Sequence, residues 1–542
     1  MRRVFALLTA LIIVFSLTAC GDDGSGKGFR LPLGSEPRQL DPQSATETSS
    51  VTVITALFEG LTRLDADGRA VDGAATYTVS DDGLTYTFTL KESYWSTISV
   101  RGEQTVWDEP TRVVAQDFAF GWRRAVSPDN QSGTATAFYG IKNAEAIHKG
   151  EKPLTTLGVK AVDDVTLIVT LEQADPAFPA RVATSPFMPC DEAFFEYTAG
   201  RYGLEKQYLL SNGAFTLTAW NHKQSLLLNK NEYYHAADEV APSAVRFVLD
   251  GDKSVATLTE GLLDATFLLD SETEEAKQAG VTLHTLADSV RGVYFNTAEP
   301  ILAHAGIRRA LRDAIEWATV YDHLATAGEP NATGYIPPDA LVGNEPYRNG
   351  DNAVTYTTQV DAARSALGEG LTAVYPEEKN PSFPRLTVLA ADDAVSADAA
   401  RYIVQSWQKN LKLTCTLELV SEDVLAARMS GGNYQIAVAT TLGGGLSAAD
   451  NLTAFVSGAA NNLTDFSDPA FDAAVTAAIR GGRAQATAAE KILREACPCI
   501  PVSFPRRAYG VAPNCENVTV RPFGGGTYGG TYEFLHAKKF DD

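Results

Sequence analysis

The chain has 542 residues, of which 45% are hydrophobic and 21% charged, and its formal net charge is −22 at pH 7. A chain of this length exceeds one hydrophobic core and therefore predicts two or three domains. Its negative charge repels nucleic acid and anionic membrane surfaces, so we expect no nucleic-acid partner and a soluble body outside the cell.

The first 28 residues predict export. Arg2 and Arg3 precede an apolar stretch over residues 4–15, which is shorter than the ~20 residues that a membrane-spanning helix needs. Small residues then lead to Cys20, in a pattern that resembles the lipobox of bacterial lipoproteins. We predict a signal peptide over residues 1–19, a lipid on Cys20 and a flexible lipid-anchored linker over residues 20–28. An ordinary cleavage site beside a small residue is the alternative.

Alternating polar and apolar residues dominate the first half of the chain. Residues 76–90 predict two strands around a turn at 80–83, where Gly83 suits the turn. Residues 158–171 and 213–229 predict two further strand pairs, and residues 115–125 have the apolar spacing of a helix.

The second half of the chain alternates predicted helices with strands. One amphipathic helix is predicted over 307–321, with Leu311 and Ile315 inside and Arg308 outside. Another, over 399–409, leads into a strand over 411–420, and the alanine-rich residues 471–489 predict a further helix. Together the two halves predict an α/β (mixed α+β) protein with at least two lobes.

No motif predicts an enzyme, a metal site or a cofactor. Five cysteines besides Cys20 cannot all pair, so we expect buried thiols or one disulfide. Cys497 and Cys499 are separated by one residue, which is not the usual zinc spacing. Residues 524–529 match G-x-G-x-x-G only formally, because no βαβ unit surrounds them. We therefore predict no catalytic residue, no metal ligand and no cofactor.

Ten sequence blocks follow one another in a distinctive order along the chain. They lie at residues 35–43, 57–61, 80–88, 95–96, 115–124, 150–164, 212–215, 307–311, 334–338 and 468–472. Together they resemble the family 5 extracellular solute-binding proteins, in particular the oligopeptide-binding branch. Block 150–164 is similar to a stretch typical of that branch rather than of its nickel- or sugar-binding relatives.

The resemblance implies a two-lobed clamp of the periplasmic-binding-protein type (class II) with an extra inserted domain. It implies lobe I from residues 29–60, 183–285 and 506–542, the inserted domain from residues 61–182, and lobe II from residues 286–505. Such a clamp closes on its ligand by a hinge motion. The expected partners are an oligopeptide or similar small ligand, the permease subunits of an ABC transporter and, through Cys20, the membrane, with the protein itself a monomer.

The resemblance also implies where a ligand binds. Family members hold an extended peptide by strand-like hydrogen bonds, and the resemblance implies that Thr46, Glu47 and Thr48 form one edge of that site. An ordinary polar loop is the alternative. Residues 435–455 depart from the family pattern, in which the strand leads into a Trp and then an Ala-Asp-Tyr whose Asp pairs with the peptide ammonium. Neither the Trp nor the Ala-Asp-Tyr is present here. We predict that Asp450, or the backbone of Gly443, Gly444 and Gly445, faces the cleft instead. A flexible loop is the alternative reading of the three glycines.

Three functions remain open from the sequence. The first is a lipid-anchored, peptide-capturing subunit of an ABC importer. The second keeps the fold but binds another solute, such as a modified peptide, a glycoside or a metal chelate. The first accounts for the signal, the acidic body and the ordered blocks together, and the missing Ala-Asp-Tyr is the reason to keep the second. A secreted hydrolase is the third, because a nucleophile and a base need only meet in space.

Overall fold

The computed structural model describes residues 28–98, 107–249, 253–343, 345–459, 461–480, 482–525 and 529–540. The predicted signal peptide, Cys20 and nearly all of the linker lie outside the described residues, as does part of the 524–529 motif. The names lobe I, inserted domain and lobe II are used below for the predicted ranges, and those limits stay a prediction. Within the described ranges, no helix is both long and apolar enough to cross a membrane.

Two sheets form lobe I, and the N- and C-terminal segments both contribute to it. The first has the order β1-β10-β9-β8 and the second β11-β20-β12. Their strands are β1 (Phe29–Leu33), β8 (Phe215–Asn221), β9 (Ser225–Lys230), β10 (Ala244–Leu249), β11 (Ala265–Leu268), β12 (Thr282–Leu286) and β20 (Arg507–Val511). The Tyr532 hydroxyl donates to the carbonyl of Pro32 at 2.9 Å, so the C-terminal segment contacts β1.

The inserted domain is built on a four-stranded antiparallel sheet of order β4-β5-β7-β6. Its strands are β4 (Ala75–Val79), β5 (Thr85–Leu90), β6 (Val159–Ala161) and β7 (Thr166–Thr170). Both predicted hairpins are present, and Gly83 has the positive φ of 71° that its turn requires. One continuous hydrophobic cluster contains buried residues of both this sheet and lobe I.

Lobe II contains a five-stranded sheet of order β17-β16-β18-β13-β19. Its strands are β13 (Ser289–Phe295), β16 (Leu386–Ala391), β17 (Cys415–Val420), β18 (Ile436–Leu442) and β19 (Cys499–Ser503). Strand β16 pairs in parallel with β17 and β18, whereas β13 pairs antiparallel with β18 and β19. Every residue of β13 is buried, as expected of an interior strand covered on both faces.

Short strand pairs and fifteen described α-helices complete the elements. The pairs are β2 (Thr62–Leu64) with β3 (Ala70–Asp72), β14 (Leu341–Val342) with β15 (Glu345–Pro346), β21 (Cys515–Glu516) with β24 (Lys538–Lys539), and β22 (Thr519–Val520) with β23 (Tyr532–Glu533). The helices are α1 (Thr48–Leu57), α2 (Ala115–Ala125), α3 (Ala144–His148), α4 (Phe178–Arg181), α5 (Glu192–Tyr197), α6 (Val255–Thr259), α7 (Thr273–Gln278), α8 (Pro300–Ala303), α9 (Ala305–Asp313), α10 (Trp317–Thr326), α11 (Val360–Val374), α12 (Ala394–Leu411), α13 (Glu422–Ser430), α14 (Pro469–Arg480) and α15 (Arg483–Ala496).

The single helix predicted over 307–321 is wrong, because α9 ends at Asp313 and α10 begins at Trp317. Distant side chains supply the hydrogen bonds at the break. The Thr358 hydroxyl accepts from the Trp317 N–H at 3.0 Å and donates to the Ile315 carbonyl at 2.7 Å. The helix predicted over 471–489 likewise divides into α14 and α15, with Gly482 as the residue before α15. Residues 411–414 precede β17 instead of belonging to it.

Arg308 was predicted to lie on the solvent-exposed face of its helix. That prediction is also wrong, since only 3% of the residue is exposed. Its guanidinium donates to the carbonyls of Ala303, Ala496 and Cys497 at 2.8, 3.2 and 3.0 Å. These carbonyls lie at the C-terminal ends of α8 and α15, where a positive charge is favoured. The cysteines at 190, 415, 497, 499 and 515 are free thiols.

The chain passes between lobe I and lobe II at residues 286–289 and again at 503–507, and Asp288 links these two crossover segments. Its fully buried carboxylate accepts from Arg507 Nε at 3.0 Å and also contacts Arg507 Nη2. It accepts the backbone N–H of Phe523 at 2.9 Å as well. The first crossover, the second crossover and the C-terminal segment therefore share one carboxylate.

Candidate ligand-binding site

The segment after β18 turns sharply and packs against a short 3-10 helix, Asp450–Phe455. At the start of the turn, the Gly443 N–H donates to the Asp288 carbonyl at 2.8 Å. The Asn451 amide nitrogen donates to the carbonyls of Gly445 and Ser447 at 2.7 and 2.9 Å. The turn is thus fixed at both ends by hydrogen bonds.

Close packing requires glycine at two of the three glycine positions of this turn and leaves little space at the third. A Cβ on Gly443 would lie 2.1 Å from Asn451 Oδ1 and 2.6 Å from Phe523 Cε1. On Gly444 it would lie 2.3 Å from the Asp450 carbonyl oxygen, and on Gly445 it would lie 3.0 Å from Asp450 Oδ2. Gly443 and Gly444 therefore have no room for a side chain, and a flexible loop does not account for them.

We expect Gly443→Ala to lower the free energy of unfolding by about 1–3 kcal/mol, because the new methyl group overlaps Asn451 and Phe523. Urea unfolding followed by circular dichroism measures the change. Gly368→Ala is the matched control, since a Cβ there meets nothing within 4 Å inside α11. The control is expected to be neutral or stabilising by about 0.5–1 kcal/mol. Equal effects of the two substitutions would contradict the packing argument.

Asp450 lies where lobe II meets the inserted domain. Its Oδ1 is 3.3 Å from Nη2 of Arg181, and 24% of its side chain is exposed. Nε of Arg181 is also 2.8 Å from Oδ2 of Asp175, so one guanidinium joins two carboxylates. Burial raises the pKa of Asp450, and the Arg181 charge opposes that rise. The three side chains together carry one net negative charge when both carboxylates are ionised.

Thr46, Glu47 and Thr48 lie in lobe I at the start of α1. Thr46 and Thr48 are exposed, and Glu47 is half-buried with its Oε1 3.6 Å from Nη1 of Arg38. Within the part of the chain that the structure describes, the backbone N–H groups of these three residues have no protein acceptor. They are therefore available as donors to a ligand backbone.

A cavity of about 370 Å³ opens beside the glycine turn, entirely within lobe II. Gly443 and Gly444 are part of its wall, whereas the described lining does not include Gly445, Asp450 or Thr46–Thr48. The rest of the wall comes from separate segments that the sequence did not single out as a site. Aromatic, aliphatic, hydroxyl and thiol side chains line this part of the wall, among them Tyr294, Tyr335, Thr441, Phe455, Leu463 and Cys499.

Tyr335 is held rigidly in the cavity wall. Its hydroxyl donates to the Cys499 carbonyl at 2.7 Å, and its ring meets Phe455 edge-on with centroids 5.8 Å apart. The Tyr335 N–H donates to Oε1 of Glu490 at 2.7 Å. Glu490 also forms a buried ion pair with Arg348 and accepts from the Tyr347 hydroxyl at 3.0 Å. Residues 334–338 form one of the ten sequence blocks, but nothing in the neighbouring sequence predicts their contact with Glu490.

Comparison with known proteins gives the family. A model of the bacterial extracellular solute-binding proteins, family 5 (middle region), matches residues 70–462. The chain belongs to this family. Its fold class is that of the substrate-binding proteins. The family assignment predicted from the ten ordered sequence blocks is therefore confirmed.

Individual relatives agree with this assignment over most of the chain. The oligopeptide-binding protein OppA of Bacillus subtilis is 29% identical, with 80% of this chain and 81% of the relative aligned. The periplasmic murein peptide-binding protein MppA of Escherichia coli is 28% identical over 86% of both chains. A solved oligopeptide ABC transporter substrate-binding domain from Bacillus anthracis superposes with a TM-score of 0.72 at 25% identity, covering 95% of this chain and 99% of that one.

Proposed function

We propose that this solute-binding protein captures oligopeptides outside the membrane and delivers them to the permease of an ABC importer. The similarity to an oligopeptide-binding protein over 80% of this chain carries the proposal. The described geometry supports it, because unpaired N–H groups in lobe I and a fixed glycine turn in lobe II offer backbone contacts from two sides. An extended peptide binds well to such edges, since its own N–H and C=O groups need partners.

We assign Thr46, Glu47 and Thr48 to one edge of the peptide site and Gly443, Gly444 and Gly445 to the other. Asp450 supplies the carboxylate for the peptide ammonium. Asp175 and Asp450 share a single arginine, Arg181, so one negative charge is left uncompensated. A desolvated ammonium is stabilised by an opposite charge of this kind.

Asp450→Asn is expected to weaken binding of unmodified peptides at least about tenfold, because a charge-assisted interaction of ~1.5–3 kcal/mol is lost. Peptides with an acetylated amino end are expected to lose much less. Isothermal titration calorimetry on matched peptide pairs measures the difference. Equal losses for both members of a pair would remove Asp450 from this role. Glu47→Gln is the control at the other edge, where only the backbone is assigned to the ligand.

We further propose that Cys20 carries the lipid that holds the protein at the extracytoplasmic face of the membrane, and that the protein acts as a monomer. It releases its peptide unchanged, as a binding protein rather than a hydrolase, and needs no metal or cofactor.

Native mass spectrometry of protein purified without denaturation tests the proposed function. The expected result is a set of bound masses that fragment into peptides of mixed sequence. A single non-peptide mass would contradict the peptide assignment. One modified peptide would favour the second candidate, to which the similarity to a murein peptide-binding protein points. Incubation of the protein with those peptides then tests turnover, and new fragments would show a hydrolase.

A further inference from the structure

The cavity in lobe II has the size of a pocket for one side chain. Ligand pockets for whole small molecules measure roughly 300–1,000 Å³, and this cavity, at about 370 Å³, is near the lower end. A complete oligopeptide does not fit inside it. One large side chain does, while the peptide backbone stays outside.

The cavity is apolar and aromatic at its inner end and open at its rim. Tyr294, Tyr335 and Phe455 are 4%, 5% and 8% exposed, so they form a buried inner wall. At the rim, 51% of Leu442 is exposed, and Ser430 is exposed as well. A side chain that enters past the rim therefore leaves water and meets ring faces and edges.

None of the described lining residues is acidic, basic or a histidine. The polar lining of the cavity includes a pair of neutral hydroxyls, those of Tyr294 and Thr441, whose oxygens are 2.5 Å apart, and the buried side-chain oxygen of Asn451, which has no hydrogen-bond partner within the described residues. Burial raises the pKa of Tyr294 well above its ordinary value, so its hydroxyl stays neutral at any physiological pH. A charged side chain in this cavity would lose its hydration without gaining an opposite charge, so its binding is disfavoured.

The position of the cavity links it to the peptide site. Gly443 and Gly444 belong both to its wall and to the proposed lobe II edge of that site. A peptide backbone that runs along this edge passes the rim. Because side chains of an extended chain alternate in direction, one of them faces the opening.

We propose that this cavity is a specificity pocket that accepts one large uncharged side chain of the bound peptide, aromatic or aliphatic, and rejects acidic and basic ones. The proposal rests on the proposed peptide binding and adds to it a selected chemical class at one ligand position. The hydroxyl pair of Tyr294 and Thr441 allows a tyrosine or tryptophan to enter as well as a phenylalanine or leucine, because it can exchange hydrogen bonds with an O–H or N–H group.

Competition among synthetic peptides tests this pocket. Pentapeptide pools are prepared with one position fixed in turn as Phe, Tyr, Leu, Ala, Asp or Lys and the others randomised. Each pool is mixed with the purified full chain, and the retained peptides are quantified by mass spectrometry. At one position we expect Phe, Tyr and Leu to be enriched at least about tenfold over Asp and Lys. The absence of such a position would overturn the proposal.

A matched pair of variants locates the selection. Ala454 lines the cavity, whereas Ala474 does not, and both are half-buried residues packed against the same hydrophobic cluster. Ala454→Leu is expected to fill the cavity and shift the enrichment from large side chains to Ala, while Ala474→Leu leaves it unchanged. Unchanged selection in a folded Ala454→Leu protein would place the selecting pocket elsewhere and overturn the assignment.

The two proposals fail in distinguishable ways. If the native protein retains no peptide from any pool, the proposed function fails, and the pocket assignment fails with it. If peptides are retained without preference for uncharged side chains, peptide binding stands and only the pocket assignment is wrong.

Discussion

Glu490→Gln is expected to lower the free energy of unfolding by about 3–5 kcal/mol, the usual cost of breaking a buried ion pair from one side. Only 3% of the Glu490 side chain and 9% of the Arg348 side chain are exposed, so the arginine would be left charged and unpaired. The substitution also replaces a carboxylate oxygen by an N–H₂ group that faces other donors. Urea unfolding at constant pH measures the loss.

The same substitution is expected to affect ligand selection, because Glu490 fixes the backbone of Tyr335 in the cavity wall. Glu533→Gln is the matched control. Glu533 forms a comparably buried pair with Arg521 in lobe I, with side-chain exposures of 11% and 9%. Both variants should lose stability, but only Glu490→Gln should reduce the preference for large uncharged side chains. A loss below about 1 kcal/mol for Glu490→Gln would contradict the importance of the ion pair.

Asp288→Asn is expected to cost a similar ~3–5 kcal/mol and to loosen the connection between lobe I and lobe II. The carboxylate holds Arg507 of the second crossover and the Phe523 N–H of the C-terminal segment. An amide keeps one acceptor oxygen but loses the charge that pairs with Arg507. The peptide-free protein should therefore show a larger radius of gyration in small-angle X-ray scattering, in addition to its lower stability.

Asp264→Asn provides the control for Asp288→Asn. Asp264 is also buried, and it accepts from the Arg30 N–H at 2.7 Å and from Nζ of Lys539 at 2.8 Å, both within lobe I. This variant should lose stability without any change in the relative arrangement of the lobes. If both variants scatter like the unmodified protein, Asp288 stabilises the fold but does not control how the lobes are connected.

Local signals in the sequence predicted the hairpins and the family. The strands around Gly83 and the helix over 115–125 depend on alternation, helical spacing and turn chemistry within about 15 residues, and the structure has them. Contacts between distant residues could not be predicted in this way. Thr358 interrupts the helix predicted over 307–321, and Arg308 is buried because two helix ends converge on it.

The site shows the same division. The assignment of the glycines at 443–445 and of Asp450 to the site stays a prediction, and its only sequence signal is that the chain departs from a known pattern at that place. The cavity was missed because its wall combines β13, the 334–338 segment, the end of β18 and the residues after it, and none of these carries a motif by itself. The partner of Asp450 was missed as well, since Arg181 lies 269 residues away in the chain.

The contact between Tyr532 and Pro32 has a consequence for the order in which the protein folds. The inserted-domain sheet joins strands within residues 75–170 and can form as soon as that part of the chain has emerged. Lobe I needs β20 between β11 and β12 and a tail that contacts a residue 500 positions earlier. Closing so long a loop is slow, so the lobe that carries Thr46–Thr48 is completed last, after nearly the whole chain has been synthesised.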